Sequence, residues 1–169
     1  MTGDQRRVAI GAVSGVLFIG MSVWLLQKVL PVPAAANVGE RLGYAAKWCT
    51  LPGLLFFMMI VAVGNARFFS EAIDPTLGKE SQRMIVDGRV ADNTTQQLLI
   101  FVIAALALSA SLPAEQLTVI GAAAITFTIV RLAFWIGYRI RPVYRAFGFA
   151  GTAYLNLGLL VSAIYLAVR

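Results

Sequence analysis

The chain of 169 residues has no histidine and one cysteine, Cys49. Without imidazole, Ser-His-Asp triads and histidine-based metal sites are excluded. A single cysteine forms no intrachain disulfide, and Cys49 reads as a small apolar filler. Acidic residues are scarce, eight against fourteen Lys and Arg, and none are grouped at metal-ligand spacing. No glycine-rich phosphate loop or nucleophile elbow occurs. No metal is therefore expected. Charge of either sign is sparse at 13%, against about 25% in an average soluble domain. What fills the chain instead is hydrocarbon: 59% of residues are hydrophobic and the mean hydropathy is +0.79. The composition is that of an integral membrane protein.

Five uncharged runs are visible: Val8–Gln27, Trp48–Ala66, Asn93–Ala114, Gln116–Val130 continued to Tyr138, and Ala146–Val168. Each approaches the roughly 20 residues that cross a bilayer as a helix. They are continuously apolar rather than alternating with period two, so helices are expected rather than a barrel. The first run follows Arg6 and Arg7, as in a signal peptide, and Ala34-Ala35-Ala36 resembles a cleavage site. It is long for a signal peptide, and the distribution of charge favours a retained anchor.

With five spans, Arg6, Arg7, Arg67, Lys79, Arg83, Arg89, Arg139, Arg141 and Arg145 fall on one side, and Lys28, Arg41, Lys47 and Arg169 on the other. Positive residues concentrate in the cytoplasm, so the N-terminus is expected inside and the C-terminus outside, in a bacterial inner membrane. The net charge of +6 is then a matter of topology and headgroup affinity, and nucleic acid is not an expected partner. The pattern divides the chain into an N-terminal helix, 1–30, and a four-helix unit, 43–169. Leu30–Lys47 reads as an outside loop and 67–92 as a cytoplasmic loop, within which Glu80–Val86 suits a short interfacial helix. Ser111–Glu115 is a tight link, making a hairpin of the third and fourth spans.

One charge interrupts the apolar runs. Arg131 lies where hydrocarbon depth is expected, at a cost of at least about 2.5–3.5 kcal/mol on insertion scales, and needs a polar partner or a water-filled cleft. It recurs with Tyr138 and Arg145 every seven residues, one face of a continuous helix. Pro142 is expected to break that helix, so that Arg145 starts the fifth span. Arg89, Asn93 and Gln96 stand at i, i+4 and i+7 on the third span. Both sets belong to the cytoplasmic face, with Arg141 beside the second. Arginines suit a small carboxylate or phosphate, and a cation beside a thiol favours the thiolate. The ordinary alternative is that such arginines snorkel and set topology, and that tyrosines favour the interface; Arg139 in particular reads that way.

Arg89-Val-Ala-Asp-Asn93-Thr-Thr-Gln96, followed by Arg131, Tyr138 and Arg145, resembles the MAPEG family, the membrane-associated proteins of eicosanoid and glutathione metabolism. The family pattern is Arg-x3-Asn-x2-Glu on one helix, then Arg-x6-Tyr-x6-Arg across the next hairpin. The resemblance covers roughly Trp48 to the C-terminus. It implies a four-helix bundle that forms a homotrimer and binds glutathione between subunits near the cytoplasmic face. Arg89, Asn93, Gln96, Arg131, Tyr138 and Arg141 would bind glutathione, and Arg145 would be catalytic, activating its thiol. Three departures stand out. Gln96 replaces the glutamate that would face the glutathione ammonium, Phe134 stands where several members have a second tyrosine, and the first helix is additional.

The resemblance implies a glutathione-dependent transferase or peroxidase acting on lipophilic electrophiles. Its alternative is a non-catalytic member of the same fold that binds a lipid or a partner protein, since fold alone does not decide function. A small transporter fits less well, because no inverted repeat or broken-helix pair is present. Gly11 and Gly15 form a GxxxG face on the added helix, suited to packing on the bundle or to recruiting a partner. Asn156, midway along the last span, suits an interhelical hydrogen bond.

Overall fold

A computed structural model describes all 169 residues. The fold is all-α, with five helices long and apolar enough to span a membrane: α1 Gly3–Val29, α2 Val38–Phe68, α3 Gln82–Ser111, α4 Thr118–Ile140 and α5 Ala146–Ala167. Short 3-10 turns occupy Glu71–Ile73, Pro75–Leu77, Ala114–Gln116 and Pro142–Arg145.

Polar residues placed at the boundaries start three of these helices. Thr2 and Gln5 form a capping box: the Gln5 amide donates to the Thr2 hydroxyl at 3.2 Å and the Thr2 amide to Gln5 Oε1 at 2.8 Å. Asn37 and Glu40 repeat the device at α2. Ser81 caps α3, accepting from the Met84 amide at 3.3 Å. Such caps satisfy amides that have no partner within the helix.

These caps shorten the expected loops. The cytoplasmic loop expected over 67–92 extends only from Phe69 to Ser81, because α2 runs through Phe68 and Ser81 starts α3 at once. Glu80–Val86 is accordingly not a separate interfacial helix; from Gln82 it is the first turn of α3. The loop expected over Leu30–Lys47 likewise ends at Asn37, where the capping box begins α2. At 31 residues and about 1.5 Å per residue, α2 is about 46 Å long and outreaches the hydrocarbon layer.

α2 packs on α3 and α4, α3 on α5, and α4 on α5, closing a four-helix bundle. α1 lies outside it, against α5 and α4. Lipid tails are as apolar as leucine, so close packing rather than the hydrophobic effect holds such helices together. The main core runs along α3, α4 and α5, with the Phe101 and Phe127 rings 4.8 Å apart between centroids. A smaller cluster of Leu55, Met59, Val90, Phe134 and Tyr138 fills the half of the bundle toward the α2–α3 loop.

The GxxxG face packs within the chain. A Cβ at Gly15 would stand 2.3 Å from the Phe147 carbonyl oxygen, and one at Gly11 3.2 Å from Ala146 Cβ. The other flank of α5 is as close to α4, since a Cβ at Gly148 would lie 2.3 Å from the Val130 carbonyl oxygen. Gly15→Leu should therefore destabilise the protein by about 1–3 kcal/mol through overpacking, read as a lowered thermal midpoint in detergent. Gly64→Ala, whose methyl would meet nothing within 4 Å, should be neutral or stabilise by up to about 1 kcal/mol.

Candidate functional site

Tyr138 of α4 and Arg145 of the turn before α5 meet α3 around a cavity of about 550 Å³. Arg89 and Asn93 reach it from α3, Phe134 and Tyr138 from α4, and Arg145 from the intervening turn. Ala146, Phe149 and Ala150 of α5 and Val8 and Ala12 of α1 complete an apolar wall. No carboxylate lines it.

Pro142 positions Arg145. It lacks an amide to continue α4, so α4 ends at Ile140, and the 3-10 turn Pro142–Arg145 leads into α5. Arg145 Nη1 then donates to Tyr138 Oη at 2.8 Å, with the guanidinium carbon 4.8 Å from that ring's centroid. Arg89 forms neither an ion pair nor a side-chain hydrogen bond. The cavity thus carries two guanidiniums and no counter-charge. That combination selects anions, and arginine's forked donors suit a carboxylate.

Arg131 stands behind this wall rather than on it. It is fully buried and is the largest side chain so enclosed. Its Nε donates to Thr152 Oγ1 at 3.2 Å, and its Nη2 donates to the same oxygen. Its Nη1 donates to Asn93 Oδ1 at 2.8 Å and to Thr94 Oγ1 at 3.4 Å. The Phe134 ring lies against the guanidinium, 4.4 Å from its carbon. Thr152 passes its own proton to the Gly148 carbonyl at 2.9 Å, which leaves its lone pairs to Arg131. The hydrogen bonds match the depth; no carboxylate does.

The bond to Asn93 has a chemical consequence. Arginine only donates, so Asn93 must turn its oxygen toward Arg131, which leaves its two N–H donors free to serve the cavity. Arg131 therefore orients a cavity residue and adds positive potential from behind it.

Two other candidates fall elsewhere. Arg141 donates to Asp4 of α1 at 3.3 Å on the surface. Gln96 is exposed on α3 and does not line the cavity, which on that helix reaches no deeper than Asn93. Its neighbour Gln97 faces inward instead, and its carbonyl and Oε1 each accept from Asn156 Nδ2 at 2.9 Å. The interhelical bond expected of Asn156 is present.

The residue that sequence reasoning missed is Asp87, 3% exposed. It accepts from Arg139 Nε at 2.6 Å and Nη2 at 2.7 Å, and from Trp135 Nε1 at 2.8 Å. This forked ion pair pins α3 to α4 two residues before Arg89, and it turns Arg139 away from a purely topological role. The available signal was an acid two residues from Arg89, on what proves to be helix.

Arginine and asparagine on α3, then buried arginine, tyrosine and arginine across α4 and its turn, form an ordered set. The sequence pattern of the MAPEG family matches residues 45–165, most of the chain. The chain belongs to the MAPEG family. α2 to α5 are the family's four helices, and α1 lies ahead of the matched region. A comparison with curated proteins and with solved structures finds no match. In this MAPEG protein Arg89, Asn93, Tyr138 and Arg145 line one cavity, Arg131 lies behind it, and Gln96 and Arg141 lie elsewhere.

Thr152 supplies the anchor for the buried cation. Thr152→Val should cost about 1–3 kcal/mol or more, because it strands a buried charged donor, whereas Thr152→Ser should retain most of the stability. Thermal unfolding in detergent compares the two.

Proposed function

We propose that the protein is a membrane-bound glutathione-dependent transferase or peroxidase acting on lipophilic electrophiles. One observation carries this reading: the Arg145–Tyr138 pair at 2.8 Å, beside Arg89 and Asn93 in a cavity without an acid. The donors suit the two carboxylates of glutathione. Arg89 offers a fork, and Asn93 offers the N–H groups that Arg131 turns toward the cavity. The guanidinium of Arg145 lowers the energy of a nearby thiolate relative to the thiol. Tyr138 holds Arg145 and presents a hydroxyl to the same space. The apolar wall from Val8, Ala12, Phe149 and Ala150 suits a substrate that partitions into the bilayer.

The fit is incomplete for the ammonium group. Gln96 carries no charge and lies outside the cavity, and the nearby acid Asp87 is engaged by Arg139. This favours, as a second reading, a non-catalytic MAPEG protein that binds a lipid or a partner protein. A homotrimer belongs to the first reading, with glutathione held between subunits. So does a cytoplasmic site in a bacterial inner membrane, N-terminus inside and C-terminus outside, which the arginine distribution supports.

Glutathione titrated into the detergent-solubilised protein should raise the thermal midpoint, since a ligand specific to the folded state adds about 2.7 kcal/mol at one hundred times its Kd. No shift at millimolar concentration overturns the first reading. Arg145→Ala should then reduce conjugation to a chlorinated nitrobenzene by at least about tenfold, one pKa unit of thiolate stabilisation, while the glutathione-induced shift persists. Loss of binding without a specific loss of turnover would make Arg145 a clamp only.

A further inference from the structure

A second large cavity lies at the opposite end of the bundle. It has a volume of about 860 Å³ and opens between the second half of α1 and the second half of α5. Its cause is a divergence of helices. α1 meets α5 backbone to backbone at Gly15, and Ser22 still reaches Thr126 of α4 at 2.8 Å. Beyond that point α1 and α5 part. A Cβ at Gly20 or at Gly158, which face this gap, would meet nothing within 4 Å. An open apolar cleft at hydrocarbon depth is filled by a hydrocarbon chain, because an empty one forfeits its dispersion contacts.

The mouth of the cleft carries two opposite charges. Lys28 comes from the last turn of α1 and Glu115 from the link between α3 and α4. Neither takes part in an ion pair within the chain. Two separate, unneutralised charges of opposite sign complement a zwitterion. Aromatic faces would favour a quaternary ammonium, but two of the three rings lining the cleft, Trp24 and Tyr165, already carry a cation of the chain. Lys28 Nζ lies 3.5 Å from the centroid of Trp24, and the Arg169 guanidinium 4.5 Å from that of Tyr165. The one carboxylate of the cleft, Glu115, rewards the N–H donors that a primary ammonium has and a quaternary one lacks.

We propose that this cleft binds a glycerophospholipid whose headgroup carries a primary ammonium. The phosphate meets Lys28, the ammonium meets Glu115, and one acyl chain lies along Gly20 and Gly158. The site is separate from the Arg145 cavity and does not depend on the reading given to that cavity.

Native mass spectrometry tests it, with purified protein equilibrated against equal amounts of dioleoyl phosphatidylethanolamine, phosphatidylcholine and phosphatidylglycerol. Phosphatidylethanolamine should be retained about tenfold over the other two, the ratio that one charge-assisted hydrogen bond provides. Glu115→Gln should erase that preference while lipid remains bound. Gly158→Trp should expel lipid of every headgroup, and Gly20→Phe, from the opposite wall, should do the same if the first variant fails to fold. Equal retention of the three lipids, or a preference for either competitor, overturns the proposal. So does an unchanged preference in Glu115→Gln. A wild type that retains no lipid, with Gly158→Trp dissociating an oligomer, would make the cleft an interface between copies of the chain.

Discussion

A guanidinium buried among helices without an acid has to be held by neutral oxygens, and most of one half of the bundle is arranged around that requirement. Arg131 draws on Thr152 from α5 and on Asn93 and Thr94 from α3. Three helices are thereby fixed at one depth. For Thr152 to come close enough, α5 must press against α4, and Gly148 allows it by offering no side chain to the Val130 carbonyl. The close packing of glycine and the buried charge are two halves of one arrangement. An unpaired buried cation is expensive, and its retention is understandable if its field and its grip on Asn93 serve the adjacent cavity.

The same half of the bundle contains a charge handled differently. Arg139 is only partly buried and has a full carboxylate partner in Asp87. That pair is compensated and structural. Arg131 is uncompensated and lies behind the cavity. Arg89 and Arg145 are uncompensated and on the cavity. Arranged by depth and partner, the arginines separate into those held by an acid, one held by neutral oxygens, and two left open to the cavity, a division that net charge conceals.

Much of this was legible in the sequence. Five apolar runs became five helices, Pro142 ended α4 and brought Arg145 to the head of α5, and Asn156 made its interhelical bond. Arg131 was identifiable from depth alone. Its chief partner was not, because Thr152 looks like any threonine that returns its hydroxyl proton to the preceding turn. Asp87 escaped because 67–92 reads as one long loop, whereas the Ser81 cap starts α3 well before the apolar residues begin. Gln96 and Gln97 differ by one residue, and which of them faces inward depends on how α3 is rotated and staggered against α5. The α1 wall of the cavity was beyond reach, since nothing in Gly11-x3-Gly15 states which helix it will meet.

That seam has a mechanical consequence. The first two turns of α5 are gripped on both flanks by main chain, α1 at Gly15 and α4 at Gly148, and Arg145 is the residue from which those turns begin. α1 is also the helix with the least of its surface inside the protein, so the bilayer acts on it most directly. A tilt of α1 forced by a change in bilayer thickness has no side-chain cushion at Gly15 to absorb it. The seam therefore passes from the helix most exposed to lipid to the turns that follow Arg145 with no side chain between the two main chains.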